Sequence, residues 1–277
     1  FRPKYEDVPA KVVKRFIPDI NDNPYPEDMI VPYTEIVHDR IMLETFRGCT
    51  RGCRFCQAGM IYRPVREKKL PKLMEQAETL LKTTGYEELS LTSLSICDYS
   101  DIQNLLFSLM EKHKEDRVSI SLPSIRIDAF SVDLIKEIQK VKKTGLTFAP
   151  EAGSQRMRDV INKCVTEEDL LTSVKHAFEA GWSTIKLYFM IGLPYETLED
   201  VVGIAELGEK VVDEYFKVPK ETRHKGLKVT ISTSIFVPKP FTPFEWAAQD
   251  TMDAVKEKIQ AIRANIKDRA ITYNWHD

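Results

Sequence analysis

The sequence predicts an α/β fold, a partial (β/α)6 barrel of TIM-like form, and two observations predict it. From Ile41 onward, short apolar runs alternate six times with amphipathic stretches, the rhythm of repeated βα units. Runs in the middle of the set are near-continuously apolar or small, as expected of strands covered on both faces. Right-handed crossovers between successive parallel strands then curl the sheet into part of a barrel.

Residues 1–39 carry Pro3, Pro9, Pro18, Pro24, Pro26 and Pro32. Proline at this density disfavours long helices, so the segment reads as an N-terminal extension of turns and short strands, with residues 12–17 a β-type stretch. Residues 40–277 read as the core barrel. Strands are expected near 41–46, 88–95, 118–122, 146–149, 184–191 and 228–237, and helices near 72–83, 102–114, 132–142, 167–180 and 198–215, with 251–267 after the sixth strand. Thr166-Glu167-Glu168-Asp169 supplies a cap and an acidic first turn, and Gly85, Gly145 and Gly181 mark helix ends.

Composition narrows the class. Hydrophobic content of 43% and charged content of 30% are ordinary for a soluble globular protein. A net charge of -2 leaves no basic footprint, so composition does not indicate nucleic acid. No apolar stretch approaches membrane-spanning length and no signal-peptide pattern opens the chain. Five cysteines, three of them clustered, read as an intracellular metal site and not a disulfide framework, which suits a reducing, cytoplasmic setting. The chain starts at Phe1 and closes on Trp275-His276-Asp277, and is expected to be part of a longer protein.

The clustered cysteines, Cys49, Cys53 and Cys56, follow the first strand with C-x3-C-x2-C spacing, and parallel barrels gather function at that end of their strands. Thiolates are the usual ligands of iron–sulfur clusters. Three of them around a 4Fe–4S cubane leave one iron open, and a metal with an open position is the form that does chemistry. Gly48, Gly52 and Gly59 let the loop curl closely. Arg47, Arg51 and Arg54 place positive charge beside the thiols and would lower their pKa values. Phe55 offers an apolar face to a flat ring. The alternative is a structural zinc knuckle with a fourth ligand from His38, Cys97 or Cys164, although such sites favour paired C-x2-C spacings and no second pair exists.

The run Arg47-Gly48-Cys49-Thr50-Arg51-Gly52-Cys53-Arg54-Phe55-Cys56 resembles the signature loop of the radical SAM superfamily. The resemblance implies a six-unit partial barrel of that type, with the fourth iron chelated by the amino and carboxylate groups of S-adenosylmethionine. It implies reduction by an external one-electron donor such as flavodoxin or ferredoxin, then cleavage of S-adenosylmethionine to a 5′-deoxyadenosyl radical that acts on a substrate. Residues 37–66 look like an uncharacterised subgroup whose full-length members add an N-terminal cobalamin-binding domain. That implies methyl transfer with cobalamin in the full-length protein, although no D-x-H-x-x-G motif occurs here.

The same resemblance suggests cofactor contacts. Phe55 matches the aromatic residue that lies near the adenine. Where relatives carry a Gly-Gly-Glu-like segment for the cofactor amino group, this chain has Ser93 and Ser95, which offer acceptors or simply fill a tight barrel. Ser121, on the third strand, faces inward or outward according to register. Glu151 matches a ribose-binding position, or is a helix-start carboxylate. Lys163, with Arg156 as competitor, stands where a basic residue grips the cofactor carboxylate. Met190, before Gly192-Leu193-Pro194-Tyr195-Glu196-Thr197, matches the apolar adenine-side position, or is a core methionine.

Other features read two ways. Arg126-x-Asp128 is a structural ion pair or a substrate contact, Glu196 a helix-start carboxylate, and residues 236–246 a lid or a core cap. The basic run 63–69 is a solvated turn, or a contact for an anionic or RNA substrate; Cys97 is an inert thiol or a substrate-side group. Two rival classes stand beside the radical enzyme. A methylthiolating RNA- or protein-modifying enzyme would need further cluster cysteines, and a metal-stabilised binding module would need none. No motif names the substrate.

Overall fold

The computed structural model describes residues 3–34, 36–114, 116, 118–121, 146–221, 223 and 226–276. Its elements are β1 (Ile41–Glu44), β2 (Phe46–Arg47), α1 (Gln57–Ile61), β3 (Arg66–Glu67), α2 (Leu70–Thr84), β4 (Glu88–Thr92), α3 (Ile102–Lys112) and β5 (Ser119–Ser121). They continue with β6 (Leu146–Glu151), α4 (Gln155–Val160), α5 (Glu167–Glu179), β7 (Thr184–Ile191), α6 (Leu198–Lys217), β8 (Lys228–Ile235), α7 (Met252–Asn265) and β9 (Ile271–Trp275). Strands β1-β4-β5 form one parallel sheet and β6-β7-β8-β9 another; β2 and β3 pair antiparallel. Among the described residues the parallel sheets are open and do not close into a ring.

One face of each sheet is sealed by helices. Ile41, Leu43, Leu89 and Leu91 are buried against Leu73, Ala77 and Leu80 of α2 and Leu105, Leu106 and Leu109 of α3. Ile185, Leu187, Phe189, Val229 and Ile231 are buried with Leu170, Val174 and Phe178 of α5 and Val201, Ile204 and Val211 of α6. Fully burying a side chain of this size contributes roughly 1.5–3 kcal/mol, so these layers carry the fold. The opposite, inner face is mixed, with Met42, Tyr188 and Met190 beside Glu44, Ser90 and Lys186. It is less covered among the described residues, which corrects the expectation of strands covered on both faces. Burial along β7 alternates residue by residue, because helices cover one side and the other bounds a partly open interior.

Local signals behave as read. Thr166 and Asp169 form a reciprocal capping box at α5, and Thr197 and Asp200 form a second at α6. Gly85 closes α2 in the left-handed region, its N–H bonded to the Leu81 carbonyl. Several elements escaped the pattern: β2, β3, α1 and α4 are too short to show a period, and β9 extends the second sheet beyond the sixth strand. The expected strand at residues 12–17 does not form. That segment finds no ladder partner and is pinned by side chains, with Lys14 Nζ donating to the carbonyls of Ile61 and Arg63, both at 2.5 Å. The expected helix 132–142, Gly145 and the Arg126-x-Asp128 pair lie outside the described residues. Among the described residues no helix is long and apolar enough to cross a membrane.

Candidate functional site

The cysteine loop leaves β2 at the C-terminal end of the first sheet. Gly48 turns it at φ +93°, and a Cβ there would lie 2.7 Å from the Pro64 carbonyl oxygen and 2.8 Å from that of Tyr62, so only glycine lets the loop return so close to the β3 side. Cys49, Cys53 and Cys56 are half-buried and lie outside any disulfide. Cys56 starts α1, its Sγ accepting from the Gly59 amide at 3.4 Å, so Gly59 serves inside a helical turn and not as a loop hinge.

The loop arginines act differently from the expectation. Arg47 pairs with Glu44 through two bonds of 2.7 and 2.9 Å, and Arg51 forks onto Asp98. Arg54 donates to the Asp159 and Val160 carbonyls at 3.1 and 2.5 Å. Two of the three charges are therefore compensated, and all three groups tie the loop to its surroundings. Charge beside the thiols is weaker than the arginine count implies.

The turn after α4 grips the same loop. Arg54 N–H donates to the Ile161 carbonyl at 2.9 Å, and Asn162 Nδ2 donates to the carbonyls of Gly52 and Arg51 at 3.0 and 3.4 Å. Asn162 and Cys164 both have positive φ, 54° and 51°, and asparagine tolerates that conformation well. Between them Lys163 Nζ reaches Glu151 Oε1 at 3.2 Å. Glu151 sits at a register shift ending β6 and also has positive φ, 70°. Fully buried Arg158 fixes this corner by donating to the Ala152 and Gly153 carbonyls at 3.0 and 3.1 Å. Asn162 and Arg158 were missed by sequence reasoning. The signal for Asn162 was an asparagine just past a short helical stretch; nothing local marks Arg158 as buried.

Phe55 and Met190 come together on one apolar patch, the cluster of Ala152, Met157, Ile161, Leu193, Phe236 and Phe244. Phe236 and Phe244 meet edge to face at 6.0 Å, so the 236–246 loop caps this core in part, while Phe241 and Trp246 stay exposed. Ser93 lines a cavity of about 390 Å³ with Glu44, Arg47, Gly48 and Tyr62. The Ser95 hydroxyl is buried without a hydrogen-bond partner among the described residues, and its carbonyl accepts from the Asp98 amide at 2.9 Å. Register settles Ser121: it pairs with Ser90, and Ser90 with Met42, which puts it on the inner face.

Arg156 stands apart from the Lys163–Glu151 pair. Its guanidinium bonds to the Asp200 carboxylate and to the Tyr195 carbonyl at 2.9 Å, at the start of α6. Glu196 is not a helix-start carboxylate. It is buried, accepts from the Gly192 amide at 2.7 Å and from Lys258 at 2.7 Å, and Lys258 also reaches Asp250 at 2.6 Å. Burial raises its pKa against the pull of these bonds. Cys97 is half-buried in the turn that carries Asp98, and Cys164 is exposed.

The donor set suits a 4Fe–4S cluster: three thiols outside any disulfide on one loop, with the buried Ser95 hydroxyl nearby in sequence to the Asp98 anchor of that loop. Among the described residues no three His, Cys, Asp or Glu side chains gather as ligands of a single ion. A cubane gives each thiolate its own iron and so asks for wider spacing than one ion does.

Residues 43–208, more than half of the chain, match the family described as the Radical SAM superfamily, and the chain belongs to that superfamily. Its members use a 4Fe–4S cluster and S-adenosylmethionine and need an electron donor. The uncharacterized protein MJ0966 of Methanocaldococcus jannaschii is 37% identical over 236 residues, covering 85% of this chain and 49% of its own length. The uncharacterized methyltransferase PH0819 of Pyrococcus horikoshii is 22% identical over 218 residues, covering 77% of this chain and 47% of its own. The chain thus spans about half the length of these curated relatives. Among solved structures, the radical S-adenosylmethionine methyltransferase TsrM of Kitasatospora setae, with cobalamin and a [4Fe-4S] cluster bound, superposes with a TM-score of 0.55 at 16% identity. That match covers 74% of this chain and 36% of TsrM, and it shows a shared fold.

Proposed function

We propose that this chain is the S-adenosylmethionine-cleaving module of a radical enzyme, with Cys49, Cys53 and Cys56 as the three cluster ligands. The observation that carries the reading is the junction between the cysteine loop and the α4 turn, where Asn162 joins Gly52 and Arg51 to the segment bearing Lys163. Bound, the cluster supplies the electron that opens the carbon–sulfur bond of S-adenosylmethionine. Lys163 presents its ammonium to the cofactor carboxylate, and Glu151 offers carboxylate acceptors to the ribose hydroxyls. Phe55 and Met190 give the adenine an apolar seat that keeps water out. Ser93 and Ser95 offer acceptors to the cofactor amino group, and Ser121 lines the inner wall below it.

For the whole protein we infer methyl transfer to a substrate the sequence does not name, a reading supported by the likeness to the uncharacterized methyltransferase PH0819, and flavodoxin or ferredoxin is the proposed electron source. Within this chain only Cys97 and Cys164 remain beyond the loop three, so a second cluster for the methylthiolating alternative would have to be held elsewhere in the full-length protein. Anaerobic reconstitution followed by dithionite and S-adenosylmethionine tests the reading. About four irons and four sulfides per chain are expected, with release of 5′-deoxyadenosine. An intact cluster that yields none favours the binding module, and bound zinc without sulfide favours the knuckle.

A further inference from the structure

The inner face of β7 carries a lysine, Lys186, that makes no ion pair among the described residues. Ile185, Leu187 and Phe189 are buried against the helix layer, so Lys186, Tyr188 and Met190 project from the other side by the two-residue period of a strand. Met190 joins the patch that Phe55 also touches, so this face looks onto the candidate cofactor seat. Tyr188 lies two residues lower and Lys186 two lower again. The Lys186 ammonium sits over the Tyr188 ring, 4.6 Å from its centroid. The side chain is therefore directed up the strand, toward the site. Register sets Thr230 beside Lys186 and Ser232 beside Tyr188.

Among the described residues, three carboxylates near this interior are already paired. Glu44 and Glu88, which β1 and β4 turn to the inner face, are held by Arg47 at 2.7 Å and Arg40 at 2.6 Å, and Glu151 by Lys163 at 3.2 Å. Lys186 makes no ion pair among the described residues. It is half-buried, so its charge is less screened than that of a fully exposed surface lysine.

We propose that this wall binds a substrate through an anionic group, a carboxylate or a phosphate. Lys186 is its anchor, Tyr188 holds the ammonium in place, and the Thr230 hydroxyl adds a hydrogen bond. The ammonium lies over Tyr188, two residues of strand below Met190, about 7 Å, so a bound molecule of that reach presents its far end at the cofactor seat. That last step rests on the function proposed above; the anion site itself does not.

Protection of Lys186 from acetylation, read by peptide mass spectrometry on the full chain with iron content measured in the same sample, tests this. Succinate and inorganic phosphate are separate arms, against sodium chloride at equal ionic strength. At about ten times its dissociation constant, a bound anion slows Lys186 labelling about tenfold and saturably. Lys175 and Lys256, with side chains 52% and 66% exposed, serve as controls that stay unprotected. Saturation with succinate identifies a carboxylate site, and saturation with phosphate a phosphate site. Lys186 labelling that tracks the controls in both salts overturns the proposal. Failure to load iron with Lys186 still protected sinks the cluster reading alone, and flat labelling on an iron-loaded chain sinks the anion site alone.

Discussion

Asn162 donates its side-chain amide to the Gly52 carbonyl at 3.0 Å, joining two segments 110 residues apart. The bond links the loop that bears the cysteines to the turn that bears Lys163. A Cβ on Gly52 would lie 3.3 Å from that amide nitrogen, so the two segments are in direct contact.

Asn162→Ala removes both amide bonds to the loop and should lower global stability by only about 1 kcal/mol, while making the cysteine loop less well held. Reconstituted variant protein should lose iron to a chelator several times faster than the parent. Asn162→Gly, which keeps the positive φ but not the amide, should behave like the alanine variant. Equal retention in all three would mean that the bond does not order the loop.

Lys163 and Arg156 compete for one role and each is ion-paired, with Glu151 and Asp200 respectively. Only Lys163 lies on the turn that grips the cysteine loop. Lys163→Met should weaken S-adenosylmethionine binding by about 10- to 100-fold, as loss of a charged hydrogen bond does. Arg156→Met, at a group committed to Asp200, should change affinity by less than about threefold. Equilibrium dialysis on both variants decides; the reverse ranking would return the carboxylate to Arg156.

Asp200 makes stability depend on acid. Burial opposes its charge, but hydrogen bonds from Arg156, Ser154 and Thr197 outweigh that cost and lower its pKa from 3.8 to about 2. A depressed folded value stabilises the fold above the unfolded pKa, and that contribution fades as pH falls from near 4 through 2. At neutral pH it amounts to roughly 1–2 kcal/mol. Asp200→Asn should thus be less stable than the parent in urea at pH 7, with the gap narrowing below pH 4. A gap of constant size across that range contradicts the assignment.

Gly153 abuts α6 so closely that a Cβ would overlap the backbone of Asp200, Gly203 and Ile204. Gly153→Ala should cost about 2–4 kcal/mol and disturb the Glu151 corner. Gly203→Ala meets the same contact from the helix side at 3.2 Å, where a small shift relieves it, and should cost about half as much. Thermal melts that rank the two the other way would argue against this packing.

Much of the fold was legible because its signals are local. The run 184–191 is a strand with those bounds, since β-branched and aromatic residues of period two lie between a glycine turn and Gly192. Thr166 announced its helix through a side chain that bonds three residues ahead, and Thr197, which was not read as a cap, does the same at α6. The cysteine loop was legible because its spacing is written within eight residues. Glu196 was misread because its partner Lys258 lies 62 residues away, and no local pattern encodes a buried ion pair. Arg51 was misread likewise, as its partner Asp98 lies 47 residues away, whereas Arg47 pairs with Glu44 only three residues back.

By itself, the sequence determined the order of βα units, the position of three thiols after the first strand, and membership of a superfamily. These follow from periodicity and from spacing along the chain. Only the tertiary structure decided that Phe55 shares a patch with Met190, that Lys163 faces Glu151 while Arg156 turns to Asp200, and that Lys186 projects from the inner face of β7. The physical reason is register: contact across a sheet depends on which residues stand opposite one another, and that is set by packing of distant segments.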